Sequence, residues 1–305
     1  MTHAKSGRAE QPKRIKRDLN GWVVLDKPYD MTSTQAVGKL RWMTGAKKAG
    51  HAGTLDPLAT GVLPIALGEA TKTVPIIQDG RKVYRFELRW GEETTTDDAE
   101  GEVTERSDVR PSQADVEAAL PQFTGTISQV PPAFSAIKID GERAYDLARA
   151  GEEVVMTARE VTIDFLHLVS HSETSSSFEM GCAKGTYVRA LARDLARALG
   201  TRAHVISLRR TQVGPFDAAL AVTFEQLEAM QNDELVLPVA SGLSLVPELR
   251  LSASEANMVR HGNEVLLAGS GAPVRADSVW ASHAGNPVAL GRVEAGRFCP
   301  SRVFV

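Results

Sequence analysis

Gly50-His51-Ala52-Gly53-Thr54-Leu55-Asp56-Pro57-Leu58-Ala59-Thr60-Gly61 is the stretch around which the chain is organised. It holds one carboxylate, Asp56, among three glycines and a proline. No acidic residue occurs from Met31 to Leu55, an interval that carries Lys39, Arg41, Lys47, Lys48 and His51. Asp56 is therefore the first negative charge after Asp30. Gly50 and Gly53 permit backbone angles and close approaches that a side chain would block. Pro57 fixes φ immediately after the acid. Such a loop holds its carboxylate in one place, where it can serve as a nucleophile, a base or an ion-pair partner. A lone Asp in a glycine-rich loop is more commonly a turn or cap residue.

Upstream, Gly21 to Asp26 is an apolar run that reads as a buried strand. Lys27-Pro28-Tyr29-Asp30 breaks it, and Thr32-Ser33-Thr34 offers an N-cap for a helix through about Met43. Ala36, Val37, Leu40 and Met43 share one face of that helix, and Gly45 suits its C′ position. Downstream, Val62 to Leu67 is apolar and reads as buried. Lys82 to Trp90 alternates as a half-buried strand, with Tyr84, Phe86, Leu88 and Trp90 on its apolar side. The acids from Glu92 to Glu105 lack the spacing of a calcium loop and read as solvated surface. A helix is expected over Pro111–Phe123, a rigid turn and strand over Val130–Ile139, a hairpin at Asp140-Gly141 and a helix over Arg143–Ala150. Strands are expected over Glu160–Val169 and Ser177–Ala183.

The second informative stretch is Lys184 to Gly200. Leu191, Leu195 and Leu199 recur every fourth residue, and Arg189, Arg193 and Arg197 lie roughly opposite on the same helix. From Lys184 to Arg210 there are seven Lys or Arg against Asp194 alone. A solvated helix face is the usual meaning of such a run. Its continuation into Ser207-Leu208-Arg209-Arg210 favours a surface for phosphates instead. A short helix over Phe224–Met230 and a linker-like Leu235–Leu245 follow. Leu249–Val305 then reads as a separate β-rich segment with one helix at Ser254–His261.

The bulk properties are those of a globular protein. The 305 residues are 43% hydrophobic and 24% charged, with a net charge of −3. Residues 1–19 carry six Lys or Arg against two acids and read as a disordered basic arm. Cys182 and Cys299 make neither a disulfide framework nor a zinc set, so a reducing, cytoplasmic setting is expected. No secretory h-region or membrane-length apolar run is present. The P-loop, Gly-x-Gly-x-x-Gly, His-Glu-x-x-His and Gly-x-Ser-x-Gly signatures are all missing, so neither a nucleotide cofactor nor a metal is indicated.

Residues 50–64 resemble the nucleophile motif of the TruB family, the pseudouridine synthases that modify uridine 55 in the T-loop of tRNA. Four further stretches match in order. They are Leu25-Asp26-Lys27-Pro28 with Met31-Thr32-Ser33, then Leu67 to Lys72, Phe134 to Lys138, and Lys184 to Arg189. The resemblance runs from about Gly21 to Ala240. One departure is Asp30, where the family usually has glycine.

The resemblance implies an α+β pseudouridine synthase fold, a mostly antiparallel mixed sheet flanked by helices, over residues 20–244. Residues 245–305 would form a PUA-like RNA-binding domain. It implies that Asp56 is the catalytic aspartate, that the base flips out of the T-loop stack, and that no cofactor is needed because substrate and product are isomers. Tyr84 would stack on the flipped uracil and assist proton transfer, and Tyr187 would line the pocket. Arg189 would pair with Asp56, His51 would contact the RNA, and Leu208 would close the pocket. The partner is tRNA, through T-loop and T-stem, with no membrane and no metal, and a monomer is expected. Two other readings stand beside it: a tRNA-binding or folding protein without enzymatic activity, and a guide-RNA-dependent synthase subunit. Asp56 argues against a pure binder, because a carboxylate facing phosphates repels them. The short C-terminal segment and the absence of long basic tails argue against the guide-dependent subunit.

Overall fold

Two apolar runs build the first ladder. Gly21–Lys27 (β1) pairs antiparallel with Ala59–Leu67 (β3), from Gly21 opposite Leu67 to Lys27 opposite Gly61. Both strands are apolar almost throughout, and both are buried on their two faces. The computed structural model describes residues 16–135, 137–139, 142–144, 154–229, 234–267 and 273–305. Residues 1–15, Asp140-Gly141 and residues 145–153 lie outside the described residues, so the hairpin signal and most of the expected Arg143–Ala150 helix do too.

Between β1 and β3 come helix α1 (Ser33–Thr44) and the short strand β2 (Ala49–His51), which pairs with β3. Thr32 caps α1 in a capping box with Gln35, and Gly45 ends it at φ 70°. A short helix α2 (Val74–Asp79) leads into β4 (Lys82–Trp90). The acidic segment forms a small ribbon, β5 (Glu92–Thr94) with β6 (Val103–Arg106). Helix α3 (Gln113–Ala119), capped by Ser112, then precedes β7 (Gly125–Gln129). A two-residue pair follows, β8 (Lys138–Ile139) with β9 (Glu142–Arg143). The long hairpin β10 (Arg159–His171) and β11 (Ser175–Cys182), helix α4 (Val188–Ala198), β12 (Ala203–Val213) and β13 (Phe216–Asp217) complete the large sheet. Its order is β1-β3-β12-β4-β11-β10-β7, with β2 and β13 attached to β3 and β12. Every pair is antiparallel except β12 with β3, which is parallel.

Two apolar clusters meet where β4 and β12 cross the middle of this sheet. One joins Phe86, Leu88, Trp90, Phe178 and Met180 to Leu191 and Leu195 of α4. The other joins Val23, Leu25, Leu63 and Ile65 to Leu40 of α1 and to Phe224 of a short helix α5 (Phe224–Ala229). Tyr84 and Leu208 pack against both clusters, so they sit at the seam between α1 and α4.

The stretch after α5 is not a free linker. Leu237 exchanges two backbone hydrogen bonds with Trp22 at the edge of β1, and Leu243 is buried. A second sheet follows from β14 (Glu248–Arg250), α6 (Ala253–Arg260), β15 (Val265–Leu266), β16 (Ala276–His283), β17 (Asn286–Glu294) and β18 (Arg297–Val303), ordered β14-β16-β17-β18-β15. It is docked through Trp280, Leu290 and Phe304 against Leu243, and through Lys72 Nζ donating to the Val303 carbonyl at 2.7 Å.

The acidic segment is solvated surface only in part: Glu100, Glu102 and Glu105 are exposed, and the rest turns inward. Glu93, Asp97 and Asp98 are buried. Arg193 of α4 reaches Asp97 at 2.9 Å, and Arg197 reaches Glu93 at 2.6 Å. Arg202 reaches Glu105 at 2.6 Å. The arginine face of α4 and the acidic ribbon thus neutralise each other, and the helix does not present a free basic face.

Asp30 adopts φ 57°, the left-handed turn that glycine would supply, and its N–H donates to the Pro57 carbonyl at 3.0 Å. Asp tolerates this region better than Ala does. Asp30→Gly should therefore match or slightly exceed the parent in urea denaturation, whereas Asp30→Ala should lose about 1 kcal/mol. An Ala variant as stable as the parent would show that the turn is not strained.

Candidate active site

The backbone of the Asp56 loop is held residue by residue. Ser33 Oγ donates to the Leu55 carbonyl at 3.0 Å and accepts from the Leu55 N–H at 2.8 Å. The Pro57 carbonyl accepts from Lys27 Nζ at 3.1 Å as well as from the Asp30 N–H. The Gly53 and Thr54 carbonyls accept from the Arg210 guanidinium at 3.0 and 3.2 Å. The Asp56 carbonyl accepts from the Ala59 N–H at 3.1 Å. Buried backbone groups need partners, and here three of them are donors on charged side chains from β1 and β12.

The Asp56 side chain stays 40% exposed and meets Arg189 at 2.9 Å. Arg189 is only 5% exposed. It begins α4, donates to the carbonyls of Thr96 and Phe134 at 2.9 Å each, and has Asp98 at 3.5 Å as a second carboxylate. A buried guanidinium needs such compensation.

In front of this pair opens a cleft of about 310 Å³. Asp56, Tyr84, Tyr187, Arg189 and Leu208 all line it, so five of the six residues named from the sequence converge. His51 does not line it; it is half-buried at the end of β2, five residues before the acid. Tyr187 is fixed by Gln129, whose amide accepts from its N–H at 2.8 Å and donates to its carbonyl at 3.1 Å. Leu208 lies opposite Ala59 in the parallel ladder and opposite Phe86 on β4. Burial raises the phenols of both Tyr84 and Tyr187 above their ordinary range, and the Arg210 charge partly counters the rise at Tyr84.

Lys27, Lys82, Asp98 and Arg210 carry no role that the sequence alone assigns. Lys27 is fully buried and donates to the Pro28, Met31 and Pro57 carbonyls. Lys82 lines the cleft and donates to the Gln78 and Gly80 carbonyls. Burial pulls both ammonium groups down to about 8, with Arg210 adding repulsion in each case and Asp56 opposing it at Lys27. The alternation of β4, which puts Lys82 on the same side as Tyr84, was the one signal available for any of them. Among the described residues no three His, Cys, Asp or Glu side chains converge on a point where a metal could bind.

The chain matches the model described as TruB family pseudouridylate synthase (N terminal domain) over residues 41–188. It matches the tRNA pseudouridylate synthase B C-terminal domain over residues 189–244. It is 51% identical to the tRNA pseudouridine synthase B of Brucella ovis, over 97% of this chain and 99% of that one. Identity to the protein of the same name in Mesorhizobium japonicum is 49%, over 96% and 98%. Among solved structures, a Cbf5-Nop10-Gar1 complex matches with a TM-score of 0.73 and 25% identity, covering 93% of this chain and 85% of that one.

Asp97 is buried, and its carboxyl is pushed up to about 6 by desolvation against the pull of Arg193. In the unfolded chain it titrates near pH 4. From about pH 4 to 6 the native state therefore holds the proton more tightly, and stability falls as pH rises through that window. Asp97→Asn should flatten this part of the profile in thermal melts taken across about pH 4 to 7. Parallel profiles for parent and variant would refute the assignment.

Proposed function

The chain belongs to the TruB family of pseudouridylate synthases, and from that premise we propose that it isomerises uridine 55 in the T-loop of tRNA to pseudouridine, with Asp56 as the essential aspartate. The C1′–N1 glycosidic bond breaks, the uracil turns, and a C1′–C5 bond replaces it. C5 loses a proton and N1 gains one, so atoms and electrons balance without an oxidant or reductant. The observation that carries this reading is Asp56 itself, a carboxylate on a fully anchored loop, paired to a buried guanidinium and facing a cleft of small-ligand size.

The target base must leave its stack to reach that carboxylate. Tyr84 stacks on the flipped uracil, and Tyr187 and Leu208 close the pocket around it. His51, outside the cleft, contacts the RNA beside the vacated position. The apolar seam behind Tyr84 and Leu208 gives the cleft one dry wall, which favours a detached base that stays put. The relatives at about half identity carry the name tRNA pseudouridine synthase B, which supports tRNA as the substrate rather than a guided RNA. We take it to act as a monomer and to work in the cytoplasm. The five-stranded sheet from Glu248 to Val303 supports reading residues 245–305 as a PUA-like RNA-binding module.

The phosphates of the T-stem meet α1 and its surroundings rather than α4. Among the described residues Lys16, Arg41 and Lys48 are exposed and have no carboxylate within ion-pair distance. The arginines of α4 are already paired. α1 also starts beside the Asp56 loop, through Ser33, and so leads from the cleft to these cations.

Two outcomes are expected. Asp56→Asn should lower tritium release from C5-labelled uridine in an unmodified tRNA transcript by at least about a thousandfold, with tRNA binding retained. Full turnover in that variant would sink the assignment. Arg41→Ala with Lys48→Ala should weaken tRNA binding and reduce the slope of log affinity against log salt by about 1.5. Arg193→Ala with Arg197→Ala should leave that slope unchanged while lowering stability; a flattened slope there would move the RNA back to α4.

A further inference from the structure

Four cations line the cleft, Lys82, Lys184, Arg189 and Arg210. Arg189 meets Asp56 at 2.9 Å, and Lys184 meets Asp79 at 2.8 Å. Arg210 is turned to the backbone, donating to the Val62, Thr54 and Gly53 carbonyls. Lys82 is 7% exposed, and among the described residues it has no carboxylate within ion-pair distance. Its Nζ donates to the carbonyls of Gln78 and of Gly80, the latter at 2.6 Å. These carbonyls flank Asp79, whose carboxylate Lys184 already holds. An ammonium has three N–H groups, so one is left without an acceptor from the protein. Because Lys82 lines the cleft, a molecule in the cleft can accept from it. A buried cation without a counter-charge is strongly unfavourable, and negative charge that forms beside it lowers that cost.

We propose that Lys82 is a catalytic residue of the isomerisation, whose third N–H donates to a carbonyl oxygen of the flipped uracil and holds the negative charge the base acquires when its glycosidic bond breaks. Residues two apart on a strand share a face about 7 Å from each other. Lys82 and Tyr84 are such a pair on β4, and both line the cleft. Where Tyr84 takes the face of the base, Lys82 meets its edge. A flipped base goes deeper into a pocket than the phosphates that stay in the strand. Lys184, with a side chain 65% exposed, lies nearer the solvent, and Lys82 lies deeper. C1′–N1 breaks with its electron pair left on the uracil, spread over N1 and the ring carbonyl oxygens, and C1′ becomes electron-deficient. A pair from the ring returns to C1′ as the C1′–C5 bond. C5 then gives up its proton, N1 takes one, and Lys82 keeps its own throughout. A fixed donor aimed at charge that develops in a site shielded from water stabilises the transition state more than the ground state. Burial, with the Arg210 charge adding to it, draws the ammonium down to about 8, and an anion on the base acts in the opposite direction.

This inference rests on the proposed pseudouridine formation, and its test separates the two. Single-turnover rates are measured at saturating tRNA for Lys82→Met and Lys82→Arg, with the dissociation constant and its salt dependence followed alongside. Lys82→Met should lower the rate about a hundredfold, with binding changed by less than about twofold and the salt slope unchanged. Lys82→Arg, which keeps the charge, should lose less. A parental rate in Lys82→Met overturns the proposal. So does weaker binding with a salt slope reduced by about 1, the mark of a phosphate contact. A loss caused only by a displaced turn at residues 78–80 is separated by changing the base. With 2-thiouridine or 4-thiouridine at the target position, sulfur accepts hydrogen bonds more weakly than oxygen and carries negative charge more readily. The Lys82→Met loss should shrink at least about fivefold on one of these two substrates. An equal loss on uridine and on both thio substrates overturns the proposal and leaves Lys82 as an anchor of the turn. Should Lys82→Met fail to fold, Lys82→Gln takes its place in every arm. Failure of the functional reading is distinct: there the parent itself forms no pseudouridine.

Discussion

The buried guanidinium of Arg189 constrains most of the structure around it. A charge at 5% exposure has to be met by opposite charge and by carbonyls, and three segments supply them. Asp56 comes from the loop after β2, Asp98 and Thr96 from the turn between β5 and β6, and Phe134 from the turn after β7. None of these is close in sequence to α4. The pair therefore sets where the acidic ribbon lies and how the first turn of α4 enters, as well as the direction in which Asp56 points. Removing the guanidinium would leave Asp98 buried with no cation, only the Thr96 hydroxyl and the Glu100 N–H to meet its carboxyl, so the ribbon and the site depend on the same charge.

Two more buried cations extend this arrangement to the backbone. Lys27 reaches the carbonyl just after Asp56, and Arg210 reaches the two carbonyls shortly before Leu55. They come from β1 and β12, which flank β3 in the sheet. The loop leading into β3 is thus clamped from both neighbouring strands. Glycine at position 53 suits the clamp, since its φ of 110° is one that a residue with a Cβ rarely adopts, and an added Cβ would lie 3.4 Å from Arg210. Rigidity here has a chemical meaning. On the proposed chemistry, a group that acts on a base detached from its sugar cannot wait for a mobile loop to settle.

The local elements were legible because local signals agree with tertiary packing. Thr32 and Gly45 bound α1 where capping chemistry says they should, and the alternation from Lys82 to Trp90 gave both the strand and its buried face. The Asp56 loop was legible as a rigid carboxylate, while the chemistry came from the family motif. The acidic segment from Glu92 to Glu105 was misread for a definite reason. Composition reports charge but not the partner of that charge, and a run of acids looks the same whether it faces water or an arginine helix ninety residues away. Arg193 and Arg197 were misread as phosphate ligands by the same blindness. Arg210 was hidden because an arginine in a strand carries no sign of being buried, and for Lys82 only the alternation of β4 hinted at its side.

The distribution of charge across the whole site resolves an apparent contradiction. An acidic protein has to attract RNA and yet place a carboxylate against it. The acids are matched internally, to arginines that would otherwise have made α4 a broad cationic surface competing for phosphates. Among the exposed cations outside these ion pairs are those on and beside α1, a helix that starts beside the Asp56 loop. Over its twelve residues α1 spans about 18 Å, so those cations and Asp56 can be engaged together only by an extended ligand. A free nucleoside reaches one or the other. On the proposed function, the spacing between these cations and the Asp56 loop favours a base held within a polynucleotide over a free one.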